Sequence, residues 1–151
     1  MFRNLALVVV YAAFYLLATT AWAAEFGTAE EAKAMLERAV TAVKEDKAKA
    51  LDMFNKGEGG FKDRDLYVWC ANAADGIVTA TPYWNRGKQL KELEGKRGAP
   101  FGQTVMQNAT ELTIKETTYW WPRPGTDKPL EKTALYTKVG DQICSVGYYK
   151  D

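Results

Sequence analysis

YWWPRPGTDKPLEKTALYTKVGDQICSVGYYKD, residues 119–151, decides the fold. Two runs of apolar, aromatic and β-branched residues, 130–138 and 143–149, flank Gly140-Asp141, and the aromatic run 119–121 leads into a Pro/Gly loop over 122–129. Strand-forming runs separated by such punctuation spell a three-stranded antiparallel meander. With a side-chain period of two, Lys132, Ala134, Tyr136 and Lys138 share one face of the middle strand, and Glu131, Thr133, Leu135 and Thr137 the other. A cation and an aromatic ring therefore share a face.

Upstream, 66–70 and 77–81 read as strands joined by 72–76, where Asp75-Gly76 marks the turn. Tyr67 and Trp69 point to one side of the first strand, and Leu66, Val68 and Cys70 to the other. The segment 28–56 has helical periodicity, opened by the capping box Thr28-x-x-Glu31 and closed by Gly57, so one long helix laid across a sheet is predicted. Lys47 is the one charge near its apolar stripe. A Gly-rich polar connector spans 58–65. The stretch 82–102 is rich in Gly, Pro and cations with a short helical run at 89–93; it is too long and irregular to be idle. A further short helix is predicted over 103–112 and a strand over 113–121. The fold class is α+β: a five-stranded antiparallel sheet, a long N-terminal helix, and short helices between strands two and three.

The sequence has 151 residues, the size of one domain. Its net charge of +1 comes from 20 basic and 19 acidic residues, giving no electrostatic case for nucleic acid. Histidine is absent, which removes the usual general base and the commonest nitrogen ligand for zinc or haem. No G-x-S-x-G or S-x-x-K constellation follows the leader, so neither an enzyme nor a cofactor is expected. Residues 1–24 carry Arg3, an uncharged apolar stretch and the small-residue ending Ala21-Trp22-Ala23-Ala24, the composition of a cleaved secretory signal peptide. The competing reading is a retained anchor, since 4–24 carries no charge. A mature domain over 25–151, periplasmic or secreted, is expected.

The aromatic strand end, the Pro/Gly hairpin, the Lys132-Thr133-x-x-Tyr136 strand and the closing 140–149 strand resemble the C-terminal half of single Cache domains. Residues 66–72 and 75–80, Gly87-Lys88 and 98–102 are similar to that family's first hairpin and connecting segment. The resemblance covers nearly the whole mature chain and lies more in the order of elements than in any one motif. It implies a PAS-like (profilin-like) sheet, an extracytoplasmic small-molecule sensor, and a lid over the ligand formed by 82–102. It also implies that the first and last strands lie side by side. A Cys70–Cys144 disulfide is then geometrically allowed in an oxidising compartment; the alternative is two buried free thiols. Two Cys without His make a poor metal site.

Most of the aromatic residues are expected in the core. A minority, Trp69, Trp121 and Tyr136, beside Arg86, Arg123 and Lys132, would form an apolar pocket with a few polar anchors, the usual make-up of a small-molecule site. Arginine offers a planar fork for a carboxylate and lysine a point charge, so the expected ligand is a small organic anion, a carboxylate or an amino acid. Each anchor also has a plainer role: Arg123 in a turn, Lys132 pairing across the sheet, and the basic run 86–97 as a solvated helix face. The expected partner is a membrane receptor, kinase or transporter, with the domain a monomer or a dimer. The alternative is a ligand-free interaction protein that docks through a sheet edge or an aromatic patch.

Overall fold

The computed structural model describes residues 24–83 and 85–150, so most of the expected leader lies outside the described residues. The C-terminal meander forms as its punctuation requires: β4 (Lys115–Pro122), β5 (Pro129–Val139) and β6 (Gln142–Tyr149) pair in antiparallel order. Gly140 adopts φ 60° between Val139 and its partner Gln142, the glycine-first two-residue turn that matches the twist of a hairpin. The upstream hairpin is β2 (Leu66–Asn72) and β3 (Val78–Ala80), its turn held by Asp75 Oδ1 accepting the Ile77 N–H at 2.9 Å. A two-residue strand, β1 (Lys62–Asp63), pairs with β2 inside the stretch expected to be a plain connector.

The sheet order is β1-β2-β6-β5-β4, with β3 also paired to β2. β2 and β6 are neighbours, and Cys70 lies directly opposite Cys144. The two are joined in a disulfide at a Cα–Cα distance of 4.1 Å.

The predicted single helix is divided. α1 (Ala29–Glu45) starts with the expected capping box, Thr28 N–H donating to Glu31 Oε2 at 2.8 Å and Glu31 N–H to Thr28 Oγ1 at 3.2 Å. Asp46 then leaves the helical region (φ −155°, ψ 94°), accepts the Lys49 N–H on Oδ1 at 3.0 Å, and so begins α2 (Lys47–Lys56). Periodicity runs through the break because the apolar stripe continues across it; a capping side chain redirects the axis. α1 then packs on β5 and β6, and α2 on β2 and β3. Lys47, freed at the new N-terminus, pairs with Asp141 of the β5–β6 turn at 2.6 Å.

Alternation along the strands splits the core into two layers. Leu66, Val68, Cys70, Leu135, Cys144 and Val146 pack under α1 and α2. Tyr67, Trp69, Ala71, Ala134 and Tyr136 form the opposite layer with Tyr119, beneath α3 (Phe101–Asn108) and a 3-10 turn (Leu90–Glu92). These two short elements start or end a few residues from their predicted limits. Gly102 lets α3 approach Leu90 because any Cβ there would strike the Leu90 carbonyl.

Candidate functional site

The layer away from α1 and α2 is aromatic because β2, β4 and β5 all place rings on it. Phe101 of α3 stacks on Tyr119 (centroids 4.1 Å apart, planes 8° apart), Trp121 meets Phe101 edge-on at 5.7 Å, and Tyr67 meets Tyr83 edge-on at 4.6 Å. This packing leaves only about 10 Å³ among Trp69, Phe101, Tyr119 and their neighbours. Toward one end of the sheet the layer opens into a cleft of about 590 Å³. Tyr67 and Trp121 form its sheet side, Tyr83, Asn85, Leu93 and Lys96 of the connecting segment one wall, and Arg123 to Asp127 of the β4–β5 loop the other.

Behind Tyr67 lies Lys132, with no exposed surface. Its Nζ donates to Tyr67 Oη at 2.9 Å and lies 4.2 Å and 4.9 Å from the Tyr67 and Tyr149 ring centroids. Among the described residues no carboxylate is within ion-pair distance of it. Burial pulls the Lys132 ammonium down to about 7, against a smaller opposing pull from Asp65. Burial likewise raises the phenols of Tyr67 and Tyr149 well beyond their ordinary range and that of Tyr83 to about 12, so all three keep their protons.

Asp65 is itself buried and fully engaged: Oδ1 accepts the Gly27 N–H at 2.8 Å and Oδ2 accepts Arg123 Nε at 3.0 Å. The Arg123 guanidinium lies 3.5 Å from the Phe26 ring centroid and 5.0 Å from that of Tyr149. Tyr149 Oη donates to the Pro122 carbonyl at 2.7 Å, tying β6 to the end of β4. The rim carries Glu92, Glu94 and Asp127, all exposed, with Lys96 and Arg123.

Trp121 and Arg123 line the cleft, Lys132 stands directly behind it, and Trp69 belongs to the packed aromatic layer at its base. Tyr136 is buried in the same layer without lining the cleft, and Arg86 is exposed and outside its lining. Sequence reasoning passed over Tyr67, Tyr83 and Asp65. Tyr67 was legible, since it shares a strand face with Trp69; Asp65 sits in a polar connector that gives no hint of burial.

No family model matches the sequence, and no curated relative matches it. Solved structures do match. A methyl-accepting chemotaxis protein from Vibrio parahaemolyticus RIMD 2210633 superposes with a TM-score of 0.65 at 19% identity, covering 81% of this chain and 88% of that one. A periplasmic sensor domain of a chemotaxis protein gives 0.57 at 19% identity, over 81% and 90%. A Cache chemosensory domain whose structure describes carboxylic acid recognition gives 0.56 at 17% identity, over 81% and 88%. With β2 and β6 paired, a helix-covered face and an aromatic face bearing the cleft, the described chain has the PAS-like fold of a single Cache domain.

Proposed function

We propose that this chain is an extracytoplasmic ligand-binding sensor module that captures a small organic anion, a carboxylate or an amino acid, in the cleft above Tyr67. The observation that carries the reading is Lys132, a buried cation hydrogen-bonded to Tyr67, a residue that lines the cleft, with no carboxylate of its own among the described residues. A charge in a low-dielectric site gains far more from an incoming anion than an exposed one does. Tyr83, Leu93 and Trp121 supply apolar wall for the body of the ligand. The rim carboxylates Glu92, Glu94 and Asp127 are exposed and screened, and suit an outward-pointing ammonium, as in an amino acid. The similar Cache domain that recognises carboxylic acids supports the same ligand class.

Export by cleavage of the leader over 1–24 would deliver the domain to the periplasm or medium, where the bound form is presented to a membrane receptor, kinase or transporter. Native mass spectrometry of the protein secreted from a bacterial host, followed by denaturation, tests the reading directly. A stoichiometric organic acid or amino acid in the released fraction is expected. A clean apo mass, together with no thermal shift across a panel of carboxylates and amino acids, would sink it in favour of a docking protein.

A further inference from the structure

Resting on the binding reading above, we propose that the Lys132–Tyr67 pair switches the hydrogen-bonding polarity of the cleft floor. With Lys132 as an ammonium, Tyr67 presents its O–H to an acceptor in the cleft. With Lys132 as an amine, Tyr67 turns that proton inward and presents a lone pair instead. Tyr67 is the ligand-contacting group and Lys132 the positioning residue behind it.

The geometry leaves the phenol few choices. Lys132 Nζ is 2.9 Å from Tyr67 Oη and has no access to water, while Tyr67 lines the cleft. An ammonium has donors only, so it must donate to Oη; the single phenolic proton then points away, toward the cleft. A neutral amine has a lone pair, and the shortest route to satisfying it is the Tyr67 proton. No proton leaves the tyrosine in either state; its O–H rotates, and the proton gained or lost is on Lys132. A bound anion favours the ammonium, so capture draws a proton from solvent.

Among the described residues that face Lys132, none but it is brought toward neutrality by burial. Tyr67 on β2, Tyr149 on β6, Tyr119 opposite it on β4 and Tyr83 against Tyr67 are phenols whose ionisation burial pushes upward. Asp65 is the carboxylate that acts on Lys132, and its two oxygens are held by the Gly27 N–H and Arg123 Nε. Arg123 sits beyond the Tyr149 ring and is committed to Asp65. Burial brings Lys132 to about 7, inside the range a compartment can sample.

The test follows lysine 13Cε and tyrosine 13Cζ resonances of the mature protein from about pH 6 to about pH 9, in the wild type and in Lys132→Met. The Lys132 resonance should titrate near neutrality and the Tyr67 resonance should follow with the same midpoint, a movement absent in Lys132→Met. Benzoate and pyruvate, both ionised throughout, serve as binding probes: affinity should fall about tenfold or more between about pH 6 and pH 8.5. Lys132→Met should abolish that dependence, and Tyr67→Phe should cut it back to what the bare Lys132 charge supplies. A Lys132 titration that Tyr67 ignores, or probe affinity that is flat with pH, overturns the switch. If neither probe binds at any pH, capture of these carboxylates fails as a reading of the cleft, and the resonances alone decide the switch.

Discussion

Gly147 on β6 and Lys132 on β5 occupy one another's space. A Cβ on Gly147 would overlap Lys132 Cε and lie 3.3 Å from its Cγ and Cδ. The lysine stem therefore reaches Tyr67 by crossing a position that has no side chain. Gly147→Ala should destabilise the domain by about 1–3 kcal/mol through overpacking. Lys132→Ala removes the obstacle, so the double variant should lose less than the sum of the singles. Urea unfolding of the four proteins measures the coupling; strict additivity would show that the two residues do not share the site.

Stability should rise with pH through the neutral to alkaline range. An unfolded lysine holds its proton to about 10.4, whereas folded Lys132 loses it near 7. Between those values the unfolded chain binds the extra proton, so raising pH favours the folded state. Below about 7 this contribution is flat. Above about 10 the buried tyrosines reverse the trend, because the unfolded phenols ionise first. Denaturant midpoints against pH should show the slope in the wild type and its loss in Lys132→Met; equal slopes would refute the burial of a titrating Lys132.

Asp65→Asn tests the ion pair beside the cleft. It leaves the Arg123 guanidinium, only 12% exposed, without its carboxylate partner at position 65. The cost should be roughly 3 kcal/mol. Because Asp65 holds the Lys132 ionisation up, the same change should move the Lys132 midpoint further down. Unfolding and the lysine resonance report the two effects separately; an unchanged midpoint would contradict the electrostatic link.

Reduction of Cys70–Cys144 should cost about 4 kcal/mol on the chain-entropy model, since the bridge spans a separation of 74 residues. The Cys70→Ala/Cys144→Ala variant should match the reduced protein. If its unfolding midpoint equalled that of the oxidised wild type, the staple would be energetically idle.

The layered core was legible because strands alternate: Tyr67 and Trp69 against Leu66, Val68 and Cys70 divide as the period of two demands. The meander was legible because Gly140 marks a turn that few other residues accept. The break at Asp46 was hidden, since Ala39, Val43, Ala50 and Phe54 keep helical spacing across it and an aspartate in a helix usually signals only exposure. Alternation gives the face of a side chain but not its depth. Lys132 was placed on the correct face, yet nothing in the spacing shows that Tyr67 and Tyr149 close over it. Arg123 looked like a turn residue because its partner, Asp65, is remote in sequence. Long-range pairing of two loop residues leaves no periodic trace.

The pairing of β2 with β6 also sets an order of assembly. β4, β5 and β6 can zip through short connections, but β2 must return to β6 across a loop of far greater length, and long loops are the slow closures in folding. Until β2 docks, Tyr67 is not over Lys132 and the lysine amine remains in water with its ordinary affinity for a proton. Closing the sheet is then also the moment of dehydrating that charge. In a neutral or mildly alkaline medium the chain sheds a proton as it closes, which ties the completeness of that closure to the acidity of the compartment in which it folds.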